Sequence, residues 1–140
     1  MHAATEQLVR IPVDAGLIEG ALECPPDSQG LVLFAHGSGS SRHSPRNNHV
    51  ARVLRERGLA TLLVDLLTPE EDRVYATRFD IPLLTQRLLD VTDWARRPPA
   101  TRPQSYWPLT SKPWMRARSV VMVWKMRGSA AVPVPRMSTV

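Results

Sequence analysis

Two uninterrupted apolar runs, Leu31 to Ala35 (LVLFA) and Ala60 to Leu67 (ATLLVDLL), constrain the fold of this 140-residue chain more than any other feature. Both have strand length, and neither alternates apolar with polar residues. A strand apolar on both faces must be covered on both, as parallel strands flanked by helices are. Between the runs, Ser44-Pro45 offers an N-cap followed by proline at the first helical position, where its missing N–H costs nothing. The helix that follows is expected to turn Val50, Val53 and Leu54 inward and Arg52, Arg55 and Glu56 to water, and to stop at Gly58. A strand, a helix and a strand in this order predict a βαβ crossover with the two strands side by side.

Elements on either side extend the unit. Val9, Ile11 and Val13 alternate with Leu8, Arg10 and Pro12, and Ile18, Gly20 and Leu22 alternate with their neighbours after Asp14-Ala15-Gly16. Period two around a Gly-containing turn predicts an antiparallel hairpin, ended by Cys24-Pro25-Pro26. Beyond a polar connection, Thr68 to Phe79, Asp80 should cap a helix whose apolar stripe runs Ile81, Leu84, Leu88, Val91, Ala95. Arg96-Arg97-Pro98-Pro99 ends it, with cations at the negative helix terminus and prolines beyond. A third parallel strand is then owed after about residue 102. The expected fold class is α/β: an N-terminal hairpin, then parallel strands with flanking helices, forming an incomplete sheet.

Composition divides the chain near residue 102. Residues 1 to 102 carry twelve Arg, no Lys and thirteen acidic residues, a formal −1; residues 103 to 140 carry four Arg, two Lys and no acid, a formal +6. The later segment also holds three of the four Trp and four of the five Met. The whole basic excess therefore belongs to a Pro-, Trp- and Met-rich tail, and two units are expected, 1–102 and 103–140. Within the tail, the apolar island Ser119 to Met126 could be a strand, the rest being irregular. No run of about 18 apolar residues predicts a membrane span, and MHAATEQLVR lacks the apolar core of an export signal. The lone Cys24 can form neither an internal disulfide nor a Cys-based zinc site. A cytoplasmic chain is the expectation.

The chemistry is expected where the first buried strand ends, in HGSGSSRHSPRN, residues 36 to 47. Small residues let backbone approach a substrate, and N–H groups before a helix suit negative charge. Three readings are open from these residues: a solvated strand-to-helix turn, a phosphate cradle, and an oxyanion site. The phosphate cradle lacks both the G-K-[ST] ending of a P-loop and the G-x-G-x-x-G of a dinucleotide site.

Taken together, LVLFAHGSGSSRHSPRN, VARVLRERGLATLLVDLLTPEED and RFDIPLLTQRLLDVTDWARR resemble the N-terminal part of an α/β-hydrolase of the dienelactone-hydrolase-like group, over about residues 6 to 102. The resemblance implies an enzyme acting on ester or lactone bonds of small molecules without metal or organic cofactor. It assigns backbone N–H groups of Gly37, Ser38 and Gly39 to the oxyanion hole, where one donor is worth about 2.7–4 kcal/mol in the transition state.

The remaining machinery of such an enzyme is not legible. The chain has no G-x-S-x-G elbow, and residues 103–140 contain serines (Ser105, Ser111, Ser119, Ser129, Ser138) but neither acid nor histidine. The order Ser, Asp/Glu, His therefore cannot be completed, and no nucleophile, triad acid or triad base is assigned. His36 belongs to the turn, and His43 and His49 are read as solvated. Asp65 lies on the side of a parallel sheet where sites form but precedes the expected nucleophile. Cys24 is read as an inert small hydrophobe, and Glu70-Glu71-Asp72 as a solvated loop rather than a metal site. The expectation is a truncated, inactive hydrolase whose tail is unrelated to the family, through a frameshift or truncation near codon 102. The alternative is a module that binds nucleic acid or an anionic surface through residues 103–140.

Overall fold

The computed structural model describes residues 6–26, 28–36, 42–97 and 120–125. In chain order the elements are β1 (Gln7–Val13), β2 (Gly16–Glu23), β3 (Leu31–His36), α1 (Pro45–Glu56), β4 (Ala60–Asp65), α2 (Pro69–Asp72), a 3-10 turn (Tyr75–Phe79), α3 (Ile81–Arg96) and β5 (Val120–Lys125). The strands form one mixed sheet in the order β1-β2-β4-β3-β5. β1, β2 and β4 pair antiparallel in succession, whereas β3 runs parallel to both β4 and β5. The fold is α/β, as expected, and the third parallel strand comes from the apolar island of the tail. The rest of the tail lies outside the described residues.

The hairpin closes through Asp14-Ala15, with Val13 opposite Gly16. Gly16 has φ +128°, a value that side chains with a Cβ rarely adopt. Alternation then separates the faces: Val9, Ile11, Ile18 and Leu22 are buried, while Leu8 and Leu17 face outward. Gly20 sits where β2 meets β4, and a Cβ there would lie 2.8 Å from Leu62 Cδ1 and 3.2 Å from the Leu63 carbonyl oxygen.

The continuous apolar runs are explained by two cores, one on each face. On one, Leu31, Leu33, Ala35, Leu62 and Val64 join the hairpin residues beneath Leu84, Val91, Trp94 and Ala95 of α3. On the other, Val32, Phe34 and Leu63 pack with Ala51 of α1. Burying each Leu, Val or Phe side chain contributes about 1.5–3 kcal/mol, so β3 and β4 are stabilised from both sides.

The structure differs from sequence expectation in five places. Arg55, expected in water, is only 14% exposed: its Nε lies 3.1 Å from Glu23 Oε2 and its Nη1 donates to Thr61 Oγ1 at 2.9 Å. α1 meets the sheet through Ala51 and the half-buried Leu54, leaving Val50 and Val53 about 40% exposed at 42% and 39%. Alanine allows close approach of helix to sheet, and the contact centres there rather than on the larger valines. Ser44 precedes Pro45 but makes no side-chain cap hydrogen bond; Asn48 Nδ2 donates to its carbonyl oxygen instead. Ile81 is exposed at the start of α3, and the buried stripe includes Arg87. Finally, the connection after β4 is structured. Thr68 and Glu71 form a capping box around α2, with the Thr68 N–H donating to Glu71 Oε2 at 2.9 Å and the Glu71 N–H to Thr68 Oγ1 at 3.3 Å. Two other expectations hold: the Asp80 side chain accepts from the Leu83 N–H, and Gly58, with φ +79°, follows the last residues of α1.

Candidate active site

β3, β4 and β5 end together, because His36 is in register with both Asp65 and Lys125. Aligned carboxyl ends of parallel strands are where α/β sheets place ligands, since the chain leaves for the helices there and opens a crevice. The predicted oxyanion residues Gly37, Ser38 and Gly39 follow His36 directly and lie outside the described residues, as do Ser40 and Ser41.

The chain returns at Arg42, whose backbone N–H, carbonyl oxygen and both terminal guanidinium nitrogens are engaged. Its N–H donates to Asp65 Oδ1 at 2.9 Å, its Nη1 to Asp65 Oδ2 at 2.5 Å and its Nη2 to Glu19 Oε2 at 2.9 Å. Its carbonyl oxygen accepts from Asn48 Nδ2 at 2.9 Å. Arg10 Nε lies 3.7 Å from the other Glu19 oxygen. Two cations and two carboxylates thus alternate along this edge of the sheet, and the side chains of Arg42, Asp65 and Glu19 are only 19%, 27% and 37% exposed. Charge-assisted bonds at partial burial hold better than surface pairs.

A second cluster shapes the neighbouring end of the hairpin. Arg87 of α3, 1% exposed, donates to Asp14 in the β1–β2 turn and, through Nη2, to Glu71 Oε1 of α2 at 2.7 Å, with Asp90 Oδ2 at 4.0 Å. The Arg87 guanidinium holds the Asp14 carboxyl below the ordinary range. Burial pushes the Glu71 carboxyl up, but the Thr68 N–H and Arg87 outweigh it and the net shift is downward. Glu70-Glu71-Asp72 is therefore a helical turn with Glu71 committed to Arg87. Among the described residues no group of three or more His, Cys, Asp or Glu side chains is placed to hold a metal.

The remaining candidates add no carboxylate contact to this edge among the bonds described. His43 and His49 are exposed, with Arg52 Nη2 3.2 Å from His49 Nδ1. Cys24 packs half-buried against the α3-side core, and burial, then the charge of Glu23, pushes its thiol up to about 12. That suits the inert hydrophobe expected. Sequence reasoning missed Arg42, Glu19 and Arg87. Arg42 and its two acidic partners are separated by 23 residues in each direction, which no local pattern reveals. Arg87 did carry a signal: it lies between Leu84 and Leu88 on the apolar stripe.

No protein-family model matches the chain. Two curated relatives, from two strains of Mycobacterium tuberculosis and both named "Putative phosphoribosyl transferase", are each 56% identical over 95 residues. That is 68% of this chain but 21% of theirs, so the chain spans about a fifth of their length. Among solved structures, the dienelactone hydrolase of Anabaena variabilis is 50% identical with a TM-score of 0.66, covering 71% of this chain and 48% of that one. Est1E of Butyrivibrio proteoclasticus (18% identical, TM-score 0.61, 84% of this chain and 39% of that one) shares the fold. So does a Pyrobaculum calidifontis esterase (19%, 0.54, 86% and 35%). This chain is thus similar in sequence and fold to about half of one dienelactone hydrolase, and in fold alone to the two esterases, as part of an α/β-hydrolase sheet.

Proposed function

We propose that the hairpin, β3, α1, β4 and α3 form the oxyanion-side half of a hydrolase acting on esters or lactones of small molecules, with Gly37, Ser38 and Gly39 presenting backbone N–H groups to the developing oxyanion. The observation that carries this is the 50% identity to a dienelactone hydrolase, combined with a sheet whose parallel strands end together at His36 and Asp65. Within these 140 residues no nucleophile elbow and no ordered triad can be written, so on this reading the chain alone does not turn over ester. The proposed division is a hydrolase-like unit at 1–102 and a basic segment at 103–140, the latter contributing β5.

The test is a chimera carrying residues 6–97 of this chain and the second half of the Anabaena enzyme. It should hydrolyse p-nitrophenyl acetate or a simple lactone, and Ser38→Pro, which deletes one donor, should lower its kcat by about 10²–10³-fold. A folded chimera without turnover, or one indifferent to Ser38→Pro, refutes the reading. Steady turnover by the 140-residue chain itself would refute the absence of a triad.

The name of the mycobacterial relatives favours a second reading, phosphoribosyl transfer. It is weaker, because those proteins match over a fifth of their length, and the same chain is half identical to a hydrolase. We assign phosphoribosyl transfer to their unmatched part; calorimetry of this chain with phosphoribosyl pyrophosphate should show no binding. A nucleic-acid role for the basic tail predicts binding to RNA or DNA that weakens steeply between 50 and 200 mM salt, on the order of 10³-fold for six phosphate contacts.

A further inference from the structure

We propose that Asp65 is a positioning residue: it holds both ends of the connection between His36 and Arg42 at the carboxyl edge of the sheet. On one side, the backbone of Asp65 is in register with His36, so the two Cα atoms lie about 5 Å apart, the separation of neighbouring strands. On the other, its carboxylate accepts the Arg42 N–H on Oδ1 and the Arg42 guanidinium on Oδ2. One residue thus joins the point where the chain leaves β3 to the point where it returns before α1.

The chemistry requires an acid here. A carboxylate offers two acceptor oxygens and a charge; asparagine retains an acceptor for the N–H but gives the guanidinium no counter-charge, and alanine offers neither. Both oxygens of Asp65 are engaged by Arg42, which sets this residue apart from an acid that orients a catalytic histidine. Glu19 and Asn48 secure Arg42 from two further sides. Preoriented donors stabilise an oxyanion because they need not be ordered when the charge develops. The functional consequence rests on the reading of Gly37 to Gly39 as those donors; the anchoring itself does not.

Amide hydrogen exchange of the 140-residue chain, followed by NMR, tests the anchoring. Asp65→Ala should speed exchange at the Arg42 N–H by about tenfold or more, in line with the loss of a charge-assisted bond, and leave the Leu62, Leu63 and Val64 amides unchanged. Asp65→Asn, which keeps an oxygen for that N–H, should restore most of the protection. Unchanged exchange at Arg42, equal acceleration at Arg42 and in β4, or no difference between the two variants would each overturn the proposal. If Asp65→Ala does not fold, Arg42→Lys serves. It keeps the backbone donor but loses the fork to Glu19 and Asp65, so exchange at position 42 should rise several-fold, and an unchanged rate overturns the idea. In the hydrolytic chimera, Asp65→Asn should lower kcat with little change in KM. An unaltered chimera without turnover would remove the proposed function and still leave Asp65 to be judged by exchange.

Discussion

Removing Glu71 leaves a buried guanidinium short of one partner. Arg87 is 1% exposed, and of its two close acids Glu71 is 19% exposed and Asp14 78%. In Glu71→Ala, Nη2 loses its acceptor in a place water does not reach, at a cost of about 1.5–3 kcal/mol for a charge-assisted bond. The half of the capping box in which Glu71 Oε2 accepts the Thr68 N–H goes with it, for roughly another 0.5–1 kcal/mol. The single substitution should therefore destabilise the fold by about 2–4 kcal/mol. Arg87→Met behaves differently, because Asp14 and Glu71 can turn to water while a methionine fills the space under α3; exchanging a buried pair for a hydrophobe is often close to neutral. Glu71→Ala/Arg87→Met should then be more stable than Glu71→Ala alone by at least about 1 kcal/mol, since the double variant leaves no cation stranded. Urea unfolding at pH 7, followed by tryptophan fluorescence with m-values compared, measures all three variants. Additive losses, or a double variant less stable than Glu71→Ala, would show that Arg87 acts through packing alone.

The acid limb of stability should report the same cluster. Asp14 and Glu71 both ionise below the ordinary carboxylate range, so the folded state holds fewer protons than the unfolded one as pH falls; their contribution is present above about pH 4 and lost below it. Asp14→Asn and Glu71→Gln should flatten the pH dependence of the urea midpoint below the ordinary carboxylate range, about pH 4, and an unchanged slope would contradict the assignment. With its thiol raised to about 12, Cys24 should react with iodoacetamide at pH 8 at least about tenfold more slowly in the folded chain than after unfolding; equal rates would place it at the surface. Gly20→Ala forces a methyl to 3.2 Å from the Leu63 carbonyl oxygen and against Leu62, and should cost about 1–3 kcal/mol in thermal unfolding; a neutral result would mean that β2 and β4 can separate freely.

Much of the architecture was legible along the chain because it depends on local periodicity. The hairpin followed from period two on either side of Gly16. The covered strands followed from LVLFA and ATLLVDLL, which have no polar face to give to water. α3 followed from Asp80 and the steps between Leu84, Leu88, Val91 and Ala95, and even the third parallel strand was foreshadowed by the valines at 120, 121 and 123. The likeness to dienelactone hydrolases was likewise carried by contiguous residues around HGSGSSRHSPRN.

What the tertiary structure decided are the relations between distant residues. Which face of α1 is buried depended on how closely the helix approaches the sheet, and Ala51 won over Val50 and Val53. The arginines were ambiguous in sequence: Arg42 and Arg46 share one polar stretch, and Arg87, although it lies on the apolar stripe of α3, gave no sign of which acids it meets. Yet two are held by carboxylates 16 to 73 residues away, while Arg46 is exposed. An ion pair has no periodicity and no fixed spacing. It exists only once strand register and helix packing have set its partners side by side, which is why the anchors of the candidate site emerged from the folded chain and its main elements from the sequence.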